Sequence, residues 1–519
     1  MATVTNRRCS DRSKQRRYIG KPTGIFQNRV AEVSPTRFGI ITVDCAKRRS
    51  KWMLCDFYGR VIIEPTTVEH DAAHLSQMVQ TVQAAVEAHG IKDTIVGVEI
   101  TGIYHRPVVA AFRKAGFDTR EVHSFASAHF RKTLHPNEKT DDKDLEAIFQ
   151  AVVNGFGLAI LPVHEPYLSL QYYVRFRRNL VKQRAKTQTQ LRDKMHRSMP
   201  GYAELFEASG LFHNRVAFAI AKAYPSAELI REAGTKKLLD CLAKEKIRVV
   251  AKTVDRVIAW SQQAAAPGDG FTPCTDIWQQ YLVMHTNLSE QITQAERKIA
   301  SFLAQTPYIL LLSIPGINVI SAGELAGEAG PIEHYASAQA INGRAGLFPS
   351  RYQSDQVDRS GGVAWSCNRR LRAASILVAH NLIKCHPYYR GQAALMKSKR
   401  VATRDIECRI ANRANRMVFQ IVSGKQVWRG RGVDRDYLLK KLMTFHQSCQ
   451  TDATQIVKDL TEAAKYLPKS HLIAEGQQLP AAPVRPRRGT QSLGALLLPL
   501  LIRLGVATEK PLELTESEV

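Results

Sequence analysis

Apolar and polar positions change period along this chain, and the changes mark out its elements. From Arg37 the run Phe38-Gly-Ile-Ile-Thr-Val-Asp44 is apolar, β-branched and ends on a carboxylate. Lys51-Trp-Met-Leu-Cys-Asp-Phe-Tyr-Gly59-Arg-Val-Ile-Ile follows, and together they predict an opening β-hairpin and a turn at Gly59. A helical pattern over about 70–89 leads to Thr94-Ile-Val-Gly-Val-Glu99-Ile, a third buried-strand pattern that also ends in an acid. A helix at 105–115, a strand at 118–123 and a helix starting near Thr140 complete an alternating α/β unit over 36–164.

After Pro166 the period becomes helical. Leu170, Tyr173, Val174, Leu180, Val181, Leu191 and Met195 fall at spacings of three, four or their sums, which predicts a long helix or coiled coil inside a helical domain at 165–310. Nine basic residues and one acid, Asp193, lie between 171 and 199. A merely solvated helix mixes its charges, so Arg175, Arg177, Arg178, Lys182 and Arg184 are expected to lie along nucleic-acid backbone. A further unit at 311–450 opens with Ser313-Ile-Pro-Gly-Ile-Asn318 and continues through the Gly-rich segment 342–350. It then carries a polar loop from Arg351 to Gly362 and a basic helix holding Arg369, Arg370 and Arg372. Arg351 and these three arginines are further expected nucleic-acid contacts. Residues 1–35, with Arg7, Arg8, Arg12, Lys14, Arg16, Arg17 and Lys21 against Asp11 alone in the first 21, read as a flexible basic arm. The chain from 451 to 519 reads as a partly disordered extension, Pro- and Arg-rich from about 476. No internal repeat is visible.

Charge sharpens this picture. Among 519 residues, 73 Lys and Arg oppose 47 Asp and Glu, a net charge of +26. Such an excess repels itself in the folded state and is normally matched by a polyanion. The hydrophobic content of 44% excludes wholesale disorder. Nine scattered cysteines, without any CxxC, give neither a zinc ribbon nor a disulfide framework, and reduced thiols in a cytosol are expected. The basic beginning has no apolar stretch after it to make a secretory signal, and the apolar run 493–506 contains Pro499 and Arg503 and is too short to span a bilayer. A cytoplasmic protein without a membrane partner is expected.

The candidate chemistry is carboxylate chemistry. Asp44 and Glu99 end two strands, and Asp141 and Asp144 are spaced i, i+3, on one face of a helix. The same helix acids also suit a positive N-terminal dipole behind a Thr140 cap. Converging carboxylates repel one another unless a divalent cation sits among them, and hard oxygen donors favour Mg²⁺ or Mn²⁺. A metal so held suits phosphoryl transfer on nucleic acid.

The order Asp44, Glu99 in GVEITGIY, Asp141 and Asp144 in NEKTDDKD, a long helical region, then SIPGIN and AGLFPSRYQS resembles the DEDD-type insertion-sequence transposases. The resemblance covers about 36–165 and 310–395. It implies an α/β RuvC/RNase H-like N-terminal domain, a coiled-coil segment and a mainly α C-terminal transposase domain. It also implies recombination of donor and target DNA by a composite site. There Asp44, Glu99, Asp141 and Asp144 bind Mg²⁺, and a serine corresponding to Ser354 attacks the phosphodiester and becomes covalently attached. Ser360 is the rival nucleophile. The family commonly shows Ser-Gly where this chain has Ser354-Asp355, with Ser360-Gly361 following, and Gly-Asn where it has Ser366-Cys367-Asn368. Family members use a structured noncoding bridge RNA as guide, and a homo-oligomer, dimer or tetramer, associated with a prokaryotic nucleoid is implied. SIPGIN resembles a helix-hairpin-helix turn, whose amides can hold a phosphate. Two other readings remain open from the residues alone: a RuvC-like junction nuclease working through metal-activated water, and an inactive nucleic-acid-binding remnant. An actin-like ATPase lacks its Gly-rich phosphate loops here.

Overall fold

Parallel strands buried on both faces read as continuous apolar runs, and β1 (Phe38–Cys45) and β4 (Asp93–Glu99) are such strands, paired in parallel. A computed structural model describes residues 26–159, 163–206, 210–248, 250–267, 271–354, 357–364, 367–428 and 437–467. It divides the chain into two units, Met1–Pro162 and Val163–Val519.

In the first unit β1 pairs antiparallel with β2 (Arg49–Asp56), and β2 pairs antiparallel with β3 (Val61–Glu69). On the other side β4 pairs in parallel with β5 (Thr119–Val122), which pairs antiparallel with β6 (Gly157–Ala159). The order is β3-β2-β1-β4-β5-β6. Side chains alternate between the faces. Ile41, Val43, Val96 and Val98 pack under α2 (Ala72–Ala88) and α3 (Arg106–Lys114), through Leu75, Met78, Val82 and Phe112. Phe38, Ile40 and Ile95 pack on the opposite face with α1 (Gln27–Val33), α4 (Ser124–Leu134) and α5 (Asp141–Val153), through Val30, Ala126, Leu145, Ile148 and Val152. Each such fully buried aliphatic or aromatic side chain contributes about 1.5–3 kcal/mol of transfer free energy.

The expectation of a flexible arm through residue 35 needs correction from residue 26 onward. Phe26 stacks on Phe38 with ring centroids 5.3 Å apart. Arg29 donates to both carboxylate oxygens of Asp93 at 2.8 and 2.6 Å, and to Asp118 at 2.5 Å. The signal was missed because α1 has seven residues and buries only Val30, too little to show a period. Residues 1–25 lie outside the described residues.

In the second unit α6 (Tyr167–Ser198) and α10 (Phe271–Ala304) run antiparallel: Leu191 and Met195 share a core with Trp278 and Leu282, while Leu170 and Val174 share another with Ile299 and Leu303. α7 (Arg215–Ala223), α8 (Ala227–Lys244, bent at Gly234) and α9 (Ala251–Gln263) close over the first core. The second core continues without a break into α11 (Val319–Ala329), α12 (Ala338–Ala345), α13 (Arg369–Cys385), α14 (Pro387–Ser398), α15 (Thr403–Ser423), α16 (Tyr437–Ser448) and α17 (Ala453–Ala464). The stretches 165–310 and 311–450 therefore belong to one unit, and the extension contributes α17, whose Leu460 and Ala463 are buried in that core. The apolar run 493–506 lies outside the described residues.

The expected polar loop at 351–362 is instead a β-hairpin, β7 (Pro349–Ser354) with β8 (Val357–Val363). Among the described residues no helix is long and apolar enough to cross a membrane, and all the cysteines are free.

Candidate active site

Alternation along β1 puts Asp44 on the same face as Ile40, and alternation along β4 puts Glu99 on the same face as Ile95. That is the face α5 covers. The parallel register ends Ile41↔Val96, Thr42↔Gly97, Val43↔Val98, so Asp44 and Glu99 are the next neighbours at the carboxyl ends of adjacent strands. A Cβ on Gly97 would lie 2.3 Å from Val152 Cγ2. The missing side chain lets α5 approach the sheet, and Asp141 and Asp144 occupy its first turn.

The electrostatics record the same gathering. The Asp44 carboxyl is pushed up to about 6 by burial first, and then by the charges of Glu99, Asp144 and Asp141, with Lys139 opposing. Asp144 is buried, and its Oδ1 accepts from Arg131 at 2.7 Å. Asp141 is exposed. Asp142, its neighbour, pairs with Lys51 at 2.5 Å. Thr140 caps α5, its Oγ1 accepting from the Lys143 amide at 3.3 Å, so the acids also complement the helix dipole. Arg131 and Lys139 were not singled out by sequence reasoning. Each is a basic residue close in sequence to the acids, and only the fold turns it toward them.

An all-carboxylate donor set with mutual repulsion fits a divalent cation in charge and in donor hardness. Among the described residues no three acids already converge at ligand distance. Arg131 meanwhile neutralises part of the charge on Asp144.

Ser354 lies in the second unit, exposed at the end of β7 and paired in register with Val357. Ser360 lies on β8 opposite Arg351. The side chains of Arg351 and Ser360, and all of Asp355 and Ser366, fall outside the described residues. The root of the hairpin is fixed from behind. Arg372 donates to the carbonyls of Ala345 and Ala364 and to Cys367 Sγ. Asn412 Nδ2 donates to the Leu347 carbonyl at 3.2 Å. Gly346 ends α12 with φ +63, and a Cβ there would meet Arg372 and Cys367 at 2.7 and 2.8 Å. That is why glycine stands in the AGLFP segment.

Two transposase family models match the chain, one over residues 41–200 and another, described as the transposase IS116/IS110/IS902 family, over 308–394. The first matched segment contains all four acids and the second contains the serine hairpin. The chain belongs to the IS110 family of DEDD-type transposases.

Three relatives agree with that placement. The IS110 insertion-element 43.6 kDa protein of Streptomyces coelicolor is 25% identical over 276 residues, covering 51% of this transposase and 67% of the relative. The transposase for insertion sequence element IS1328 of Yersinia enterocolitica is 26% identical over 140 residues, 26% of this chain and 42% of the relative. The IS900 insertion-element 42 kDa protein of Mycobacterium paratuberculosis is 27% identical over 183 residues, 34% of this chain and 44% of the relative. The matches thus span less than half of the latter two.

The expected nucleic-acid contacts of the transposase divide into two groups. Arg175 is bidentate to Glu328 at 2.9 and 2.8 Å, Arg177 holds Glu296 at 2.7 Å, and Arg178 holds Glu324 at 2.5 Å. Glu324 and Glu328 are buried on α11, so these arginines neutralise interior charge and lash α6 to α10 and α11. Arg372 likewise serves the hairpin root, and Arg184 lies 3.5 Å from Ser289 Oγ on α10. Lys182, Arg369 and Arg370 are exposed. The last two sit in the first turn of α13, where the helix dipole favours an anion beside them.

Proposed function

We propose that this transposase acts on DNA, cleaving and exchanging strands with a divalent metal at Asp44, Glu99, Asp141 and Asp144 and with Ser354 as nucleophile. The observation that carries the reading is the Asp44 carboxyl, raised to about 6 by burial and by three neighbouring carboxylates from two further elements. Evolution of a site that repels its own ionised form makes physical sense when a cation completes it. The antiparallel β2, the parallel β1, β4 and β5, and acids on adjacent strand ends support a RuvC/RNase H-like reading of the first unit.

A bound Mg²⁺ or Mn²⁺ supplies positive charge where the transferring phosphate gathers negative charge. Asp44 and Glu99 would hold it from the strand ends, and Asp141 and Asp144 from the first turn of α5. Arg131 fixes the Asp144 carboxylate through its hydrogen bond to Oδ1. Ser354 Oγ forms a bond to phosphorus as the bond from phosphorus to a sugar oxygen breaks. The serine proton is given up, and the departing oxygen takes one to become a hydroxyl. Attack by a second strand's hydroxyl reverses the step, frees Ser354 and restores the number of phosphodiester bonds, so no external energy source is needed. A bridge RNA and self-association complete the reading. They rest on the family resemblance and on the net charge of +26, the excess left after every acid is set against a base.

The test is adduct formation. Labelled DNA from the element's ends, incubated with the protein, Mg²⁺ and co-purified RNA, should give a denaturant-resistant protein-DNA species. Asp44→Asn and Ser354→Ala should each reduce it by at least 100-fold while each variant still folds and unfolds cooperatively. Cleavage without any adduct would establish a water-using junction nuclease instead.

A further inference from the structure

Between the root of the serine hairpin and the helices α14 and α15 runs a groove of about 740 Å³. Its size falls within the ~300–1,000 Å³ that suits a small organic group. Leu347 and Met396 contribute to its floor, and Phe348 and Leu395 stand at it 47% and 53% exposed. Arg409, Arg413 and Arg416 line it at i, i+4 and i+7, one face of α15, and Lys399 lines it from beyond the end of α14. Asp405 is the one acid in the lining. Among the described residues Arg409 and Arg416 have no acidic partner, while Arg413 donates to Gln392 Oε1.

We propose that this groove is a binding site for a single DNA strand on its way to or from Ser354, with the arginine row on successive phosphates and a base stacked on Phe348. The argument is one of complementary chemistry. Three aligned cations demand a row of anions, and an exposed aromatic ring beside an apolar floor demands a flat apolar surface; an unpaired nucleotide strand carries both at the required alternation. A duplex keeps its bases stacked inside and offers the ring nothing. The hairpin connects the groove to the nucleophile: Pro349 lines the groove and Ser354 is five strand steps away, about 16 Å at roughly 3.3 Å per residue. The inference rests on the reading of Ser354 as nucleophile.

The test is equilibrium binding of the full-length protein to a labelled single-stranded oligonucleotide and to the same sequence as duplex, across a salt series. Arg409→Gln with Arg413→Gln and Arg416→Gln should weaken single-strand binding at least tenfold. The same variant should lower the slope of log affinity against log salt by about two, at ~0.7 per phosphate released. Phe348→Ala should weaken it about tenfold with the slope unchanged, because stacking releases no counterions. Asp405→Asn should strengthen it, which keeps the test alive if the triple variant fails to fold. A charge-matched control, Lys236→Gln with Lys237→Gln and Lys244→Gln on exposed positions of α8, should leave the single-strand preference intact. The proposal is overturned if the triple variant matches that control, if it weakens duplex and single strand equally, or if it loses RNA while holding the DNA strand. Ser354→Ala should bind like the unchanged protein, so a wrong nucleophile shows in adduct formation and a wrong groove shows in binding.

Discussion

At Asp44, burial and charge act in the same direction. Its folded-state value near 6 lies above the ordinary aspartate value near 4, so the folded chain holds that proton more tightly than the unfolded chain does. Stability from the protonated carboxyl is present below about pH 4 and drains away as pH rises through 6. The loss is of order 1–2 kcal/mol after solvent screening. Denaturant unfolding at pH 4.5 and 7, without metal, should show this decline in the unchanged protein and a smaller one in Asp44→Asn. Mg²⁺ should restore stability above pH 6 in the former only. A second residue-scale prediction concerns Arg175. Arg175→Ala strands the carboxylate of Glu328, which is 2% exposed, and should cost about 3–5 kcal/mol, whereas Lys182→Ala should stay within about 0.5 kcal/mol. Arg175→Met with Glu328→Leu should recover most of the loss, and chemical denaturation of the three variants measures it. The basic run on α6 was legible in the sequence, but its carboxylate partners lie 119 to 153 residues further along. Nothing local distinguishes an arginine waiting for a phosphate from one already paired in the core.

Among the elements, strands that end in acids were legible because β1 and β4 are buried on both faces and their apolar runs stop at Asp44 and near Glu99. The helix at 141 was legible from Thr140 and the acids behind it. The closeness of α5 to the sheet was not, since it depends on Gly97 facing Val152 across the layers. Gly97→Ala should push α5 outward, destabilise the protein by about 1–3 kcal/mol and weaken Mn²⁺ binding. Val152→Ala in the same chain should restore both, a rescue that calorimetry with Mn²⁺ can follow. From sequence alone the hairpin β7–β8 reads as a loop, because its residues are mostly polar or Gly and lack an apolar alternation. Its strand character comes from the register of Tyr352 on Arg359 and Gln353 on Asp358, which composition does not encode.

For the whole molecule, the change from alternating to helical period marked the division near residue 163. The sequence could not show that the long helices and the C-terminal helices share one core, because Leu170 and Val174 meet Ile299, Ala322 and Leu325 only through the fold. That core carries the serine hairpin on a rigid base, while the first unit carries the acids. Under the proposed function, these two sets of groups perform one serine-based strand transfer. Tryptic mapping of the trapped protein-DNA adduct tests it most directly, because Arg351, Arg359 and Arg369 separate the two candidate serines into different peptides. A nucleotide mass is expected on peptide 352–359, which contains Ser354. A mass on 360–369, or cleaved DNA with no modified peptide, would contradict it.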